Sequence, residues 1–94
     1  MEGVVSLKAK TSKASIYLKN DLSAALLTVV NLDDNAVSEN VKINPDKLTS
    51  STSNLKIISV KEVFKNDPLD LKDNAFTLNI PRHSLRIIEL KLQK

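Results

Sequence analysis

Apolar and polar residues alternate in short runs along almost the whole chain, and clusters of asparagine and aspartate separate the runs. A period of two puts successive side chains on opposite faces of an extended backbone, so each run reads as a strand with one face for a core. No window of about eleven residues or more holds a helical apolar stripe free of turn signals, which removes folds that need crossover helices. Short strands at this spacing, without such helices, predict an all-β, antiparallel two-sheet β-sandwich of about seven strands, Greek-key in connection and immunoglobulin-like in shape.

The first run, VVSLKA, points Val5, Leu7 and Ala9 one way, and SIYLK points Ile16 and Leu18 inward with Tyr17 opposite. ALLTVVNL is apolar on both faces, Leu26, Val30 and Leu32 against Leu27 and Val29, the pattern of a central strand. AVSENVKI aligns Val37, Val41 and Ile43 with Glu39, which is expected near an exposed end. In LKIISVKEVF, Ile58 and Val60 share a phase with Phe64, while Glu62 lies between and Val63 is out of phase. A β-bulge near Lys61 or Glu62 would reconcile them. AFTLNI alternates cleanly, and LRIIELKL is expected to bury Ile88, Leu90 and Leu92 and to show Arg86, in the same parity, near its start. The expected core therefore unites Phe64, Phe76, Leu78, Ile80, Ile88 and Leu90.

The turns KNDL, LDDN, NPDK, KNDP and KDNA rest on Asn and Asp, whose side chains bond nearby backbone and which tolerate left-handed conformations. A chain with one glycine can turn this way. Thr49–Asn54, TSSTSN, reads as a flexible polar loop. Ninety-four residues suffice for one domain with one core, here residues 1–94. With no cysteine, that core holds by packing alone, without disulfides, zinc–thiolate sites or thiol nucleophiles. No apolar run approaches the ~18 residues that span a bilayer, so no membrane partner is expected.

The formal net charge of +3 is local. Lys8, Lys10, Lys13 and Lys19 oppose only Glu2, and the rest of the chain is balanced. Nucleic-acid binders join a basic groove to stacking aromatics or an Arg-rich helix, whereas this chain has two arginines and three aromatics, so no nucleic-acid partner is expected. His83 is the only histidine. The adjacent Ser84 cannot serve as its nucleophile, because that pairing needs a base in reach and oriented by a third group, and one histidine cannot complete a metal site. In PRHS, His83 and Ser84 are suited to bonding turn backbone while Pro81 restrains the chain. Asp67, Asp70 and Asp73 lack the spacing and glycine of a calcium loop and read as a solvated turn. No catalytic residue, metal site or cofactor is expected. Tyr17 and His83 remain as candidate ligand or structural-turn residues, Tyr17 because an outward aromatic could support a sugar face.

The order of the pieces, AALLTVVNLDDNAVSENVKINPDKL and then LKIISVKEVFKNDPLDLKDNAFTLNIPRHSLRIIELKL, resembles the C-terminal β-sandwich that follows the catalytic barrel in many glycoside hydrolases, notably α-galactosidase-like enzymes. The matching elements are Val30–Asp34, Val60–Phe64 and Ile80–Leu90, and the resemblance is strongest over residues 24–92. Glu62 and Phe64 stand where that family usually has Asp and Trp, and Arg82 where it has a second proline. The resemblance implies a non-catalytic accessory domain of a carbohydrate-active enzyme. Its partner would be the upstream catalytic domain of the same parent chain, met through the two-faced strand Leu26–Leu32 and the outward Leu85 and Ile87. Carbohydrate is a further candidate partner. The alternative is an independent carbohydrate-binding or immunoglobulin-like protein-binding module.

Overall fold

The computed structural model describes residues 5–7, 12–21, 23–45, 55–65 and 67–93. Ala9 of the expected first strand and the expected loop Thr49–Asn54 lie outside them. The strands are β1 (Val5–Leu7), β2 (Ser12–Leu18), β3 (Ala24–Asn31), β4 (Val37–Ile43), β5 (Lys56–Glu62), β6 (Asp67–Leu69), β7 (Ala75–Ile80) and β8 (Leu85–Gln93). They form two antiparallel sheets, ordered β1-β4-β7 and β2-β3-β8-β5-β6, the expected β-sandwich. One strand more is present than the sequence suggests. β6 is only three residues long and contains Pro68, whose missing N–H confines it to an edge, and β2 begins three residues earlier than the apolar pattern announces.

Alternation decides which side chains meet between the sheets. Leu27 and Val29 of β3, Ile88 and Leu90 of β8, Val41 and Ile43 of β4, and Phe76, Leu78 and Ile80 of β7 form one buried cluster. β3 lies between β2 and β8, as its two-faced apolar pattern predicts.

Two expectations fail in β5 and β4 for reasons of register. The β5–β8 ladder shifts between Ile57 and Ser59, which places the bulge at Ile58 and not near Lys61 or Glu62. The extra residue lets both Ile57 and Val60 face inward, exposes Ile58, and brings Glu62 onto the buried face. The strand then ends, and Phe64 sits in the following turn at 72% exposure, outside the core. Glu62 holds that turn, its carboxylate accepting the Phe64 N–H at 3.3 Å and the Lys65 N–H at 3.0 Å. Glu39 is likewise not near an exposed end. β4 keeps unbroken alternation, and pairing opposite Leu78 in the middle of the three-stranded sheet leaves Glu39 fully buried.

The turns LDDN and KDNA and the described part of KNDL behave as their chemistry predicts, whereas Asp67 and Pro68 of the expected turn KNDP are in β6, and Asp46 and Lys47 of NPDK lie outside the described residues. Asp73 and Asn74 have φ of 53° and 63°, and the flanking Lys72 and Ala75 exchange both backbone bonds at 2.9 and 3.0 Å. Two successive left-handed residues between a bonded pair match a type I′ hairpin turn. At the β2–β3 turn, Asp21 accepts the Ser23 hydroxyl at 2.6 Å and the Ser23 N–H at 3.0 Å, and those bonds hold its carboxyl below its ordinary pKa. A depressed carboxyl supports the turn above its unfolded-state titration and loses that support as pH falls through the folded value.

Candidate functional site

Among the described residues, side-chain hydrogen bonds gather at the end where the β3–β4 loop meets the β7–β8 turn. Asn31 closes β3 on its inward face and is fully buried. Its backbone N–H donates to Ser84 O at 2.8 Å. Its side-chain amide donates to Asn35 O at 2.9 Å and to Ile80 O and Pro81 O at 3.1 Å each, while Oδ1 accepts the Asp33 N–H at 2.9 Å. One buried amide thus ties a loop and a turn that are far apart in sequence. Asp33 extends the scaffold by accepting the Asn35 N–H at 3.0 Å.

His83 lies above this knot. It does not bond turn backbone through its ring, as its place in PRHS suggests; Nε2 stands 2.9 Å from Asp34 Oδ1 across the two loops. A carboxylate can only accept, so the bond forms in the tautomer that places the proton on this nitrogen. The reason is backbone geometry: at φ 52°, His83 is left-handed and its side chain is carried toward the β3–β4 loop. Ser84 does bond the turn, its hydroxyl donating to Arg82 O at 3.2 Å, and its N–H donates to Pro81 O at 3.2 Å. The Ser84 hydroxyl therefore points to a carbonyl, and the geometry fastens loops together.

His83 and Asp34 are 57% and 90% exposed at their side chains, so their attraction works against water and salt. His83→Ala is expected to cost below about 1 kcal/mol, and His83→Gly less than His83→Ala because glycine relieves the positive φ. Urea melts of the two variants check both the size and the order. A loss above about 2 kcal/mol in His83→Ala would show a role beyond this exposed bridge.

Tyr17 belongs to a different surface. It is exposed on the outer face of the five-stranded sheet, opposite Leu26. With Lys19, Ala24, Ala25, Leu26 and Glu89 it borders a depression of about 270 Å³. Leu26 and Asn31 are five residues apart on β3, about 17 Å at the rise of a strand, so Tyr17 and His83 share no site.

The two outer faces of the sandwich differ in kind. On the three-stranded sheet the outward positions are Ser6, Ser38, Asn40, Lys42, Thr77 and Asn79, apart from the small Ala75. On the five-stranded sheet, cross-strand rows set Tyr17 beside Leu26, Val30 beside Leu85, and Ile87 beside Val63, whose N–H bonds Ile87 O at 2.9 Å. Leu26, Leu85 and Val63 are exposed. Charge on this face includes the Lys61–Glu89 pair at 3.6 Å.

The acidic run from Asp67 divides between β6 and the turn that follows, so it is not a single solvated turn. Asp70 and Asp73 are exposed beside an open cleft. Among the described residues no three His, Asp or Glu side chains are grouped as metal ligands, and no helix is long and apolar enough to cross a membrane. The buried Asn31 is the functional-looking residue that residue chemistry alone does not single out. Its signal was parity, an amide in phase with Ala25, Leu27 and Val29. No family model, curated protein or solved structure matches the chain.

Proposed function

We propose that this β-sandwich is a non-catalytic accessory domain that packs on and stabilises the catalytic barrel of a glycoside hydrolase through the outer face of its five-stranded sheet. The observation that carries the reading is the contrast between the two outer faces. An antiparallel sheet that faces water shows polar residues outward, as the three-stranded sheet does, whereas the five-stranded sheet carries an outward apolar band of Leu26, Val30, Val63, Leu85 and Ile87, interrupted by Thr28 and bordered by Lys13, Ser15 and Glu89. A band of that kind gains free energy when another surface covers it, at about 25 cal/mol per Å² of apolar area removed from water. The Phe64 ring, in the turn beside Val63, is also 72% exposed. Tyr17 beside its depression favours a second reading, a glycan-binding module using the same face.

The experiment starts from the reading frame upstream of Met1, which on this proposal encodes a barrel with paired catalytic carboxylates; a different upstream domain, or none, overturns it. In the parent chain the double variant Leu26→Lys, Leu85→Lys is expected to weaken docking of the sandwich on the barrel at least ~10-fold, read by binding of the separated pieces. The same substitutions change the stability of residues 1–94 alone by no more than about 0.5 kcal/mol, since both positions face outward. Isolated residues 1–94 are expected to hydrolyse no aryl glycoside. Sugar binding lost with Tyr17→Ala, with docking intact, would favour the second reading.

A further inference from the structure

β7 is the edge of the three-stranded sheet, bonded to β4 on one side. The direction of its backbone groups follows from the ladder. Ile43 N donates to Asn74 O at 2.9 Å, which makes Ile43–Asn74 a hydrogen-bonded pair in register with Val41–Phe76, Glu39–Leu78 and Val37–Ile80. Phe76, Leu78 and Ile80 thus spend their N–H and C=O groups on β4, and Ala75, Thr77 and Asn79 aim theirs away from it. Ala75 confirms the direction, since its outward N–H and C=O close the turn with Lys72. Among the described residues nothing does the same for Thr77 and Asn79, both exposed.

Other edges are blunted where this one is not. β1 and β6 are three residues long, and β6 contains Pro68. β2 is longer, with the backbone groups of Ala14, Ile16 and Leu18 open by the same rule, but the depression beside it lies on the outer face toward β3, away from the open edge, and Lys13 stands near its start. β7 has a hollow on each flank. Toward the outer face is an open cleft of about 720 Å³, walled by Asn40, Lys42, Asp70 and Lys72. Toward the gap between the sheets is a groove of about 170 Å³, walled by Glu62, Lys65 and Arg86. Leu69 and Thr77 line both, so the open edge runs along a trough.

We propose that the open edge of β7 docks an extended, acidic peptide segment of a partner protein, which adds as a fourth strand to the three-stranded sheet. An added strand satisfies the outward N–H and C=O groups of Thr77 and Asn79, and its alternate side chains enter the two hollows in turn. The walls on both flanks select a single extended chain over the edge of a second folded copy. Charge decides the sequence preference. The inter-sheet groove sets one carboxylate, Glu62, which accepts the Phe64 and Lys65 amides, against two cations, Lys65 and Arg86, that pair with no described carboxylate; Arg86 also donates to Leu85 O at 3.0 Å. A glutamate pointing into that groove meets two cations against one fixed carboxylate, a net attraction, and a lysine meets the same net positive charge with repulsion. The site is centred on the β7 edge of the three-stranded sheet, with Glu62, Lys65, Leu69 and Arg86 of the five-stranded layer as its far wall, and it does not depend on the face assigned to the barrel.

The test is a titration of isotope-labelled protein with a synthetic peptide of about seven residues that alternates valine with threonine and carries a central glutamate. Expected are binding below about 1 mM and at least ~10-fold slower amide exchange at Thr77 and Asn79, with Ala14 and Ile16 unchanged. Replacing the glutamate by lysine, or N-methylating the peptide amides that face the edge, is expected to weaken binding at least ~10-fold. Thr77→Pro removes the outward donor while sparing every β4 bond and is expected to weaken binding similarly with the fold retained. If that variant fails to fold, the N-methylated peptide decides. Equal binding by N-methylated and unmodified peptides, protection centred on Leu26 or Tyr17, or no binding at ~1 mM would overturn the proposal. So would protection of Thr77 and Asn79 in concentrated protein alone together with a dimer in sedimentation, which would assign the edge to a second copy.

Discussion

Phe76→Ala is expected to lower the stability of the domain by about 3–5 kcal/mol. The ring is 3% exposed, faces inward from β7 opposite Val41, and belongs to the single buried cluster shared by both sheets. Truncation removes the transfer free energy of the ring and leaves a cavity that two hydrogen-bonded sheets cannot readily close. It is also the only buried aromatic among the described residues, so no neighbouring ring can move in. Against a total of about 5–15 kcal/mol for a domain of ordinary stability, the variant stands near the limit of folding. Urea melts at constant m measure it. A loss below about 1 kcal/mol would mean that the core closes without this side chain. Phe64→Ala supplies the contrast, with an expected effect within about 0.5 kcal/mol, because that ring lies outside the core.

Asn31→Ala is expected to cost about 2–4 kcal/mol without removing any apolar packing. The amide serves Asn35, Ile80 and Pro81 carbonyls and the Asp33 N–H, and its loss leaves several of these groups under-satisfied beneath two loops. Asn31→Asp is expected to be at least as damaging, although it is nearly isosteric. It keeps the acceptor for Asp33, loses both donors, and presents a carboxylate oxygen to the Ile80 and Pro81 carbonyls in a buried site. Because His83 and Asp34 join the same loop and turn, Asn31→Ala and His83→Ala should be non-additive in a double-mutant cycle. Equilibrium melts of the four proteins test this. A cost below about 1 kcal/mol for Asn31→Ala would return the loop clasp to the exposed bridge.

The layered fold was legible because alternation is a local property. Each strand states which residues point together, and apolar faces in a chain without helical stripes must bury against one another. For that reason β3, β4, β7 and β8 and most of the core lie where their patterns place them, as do the turns LDDN and KDNA. Parity inside β5 was ambiguous. A bulge at Ile58 or one near Lys61 would each explain part of the pattern, and only pairing with β8 selects between them. That choice sends Glu62 inward and Phe64 to solvent.

The candidate sites depend on the same distinction. The chain by itself determined that Tyr17 faces outward and that His83 occupies a turn, since strand parity and turn chemistry are written in adjacent residues. It did not determine what His83 touches, because Asp34 is 49 positions away. Nor could it show Asn31 as a clasp, since its partners Ile80 and Pro81 lie at separations of 49 and 50. Which face of the sandwich would be apolar, and which strand would be left with an open edge, followed from the orders β1-β4-β7 and β2-β3-β8-β5-β6. Local alternation sets the direction of each side chain, and only long-range pairing decides what stands opposite it.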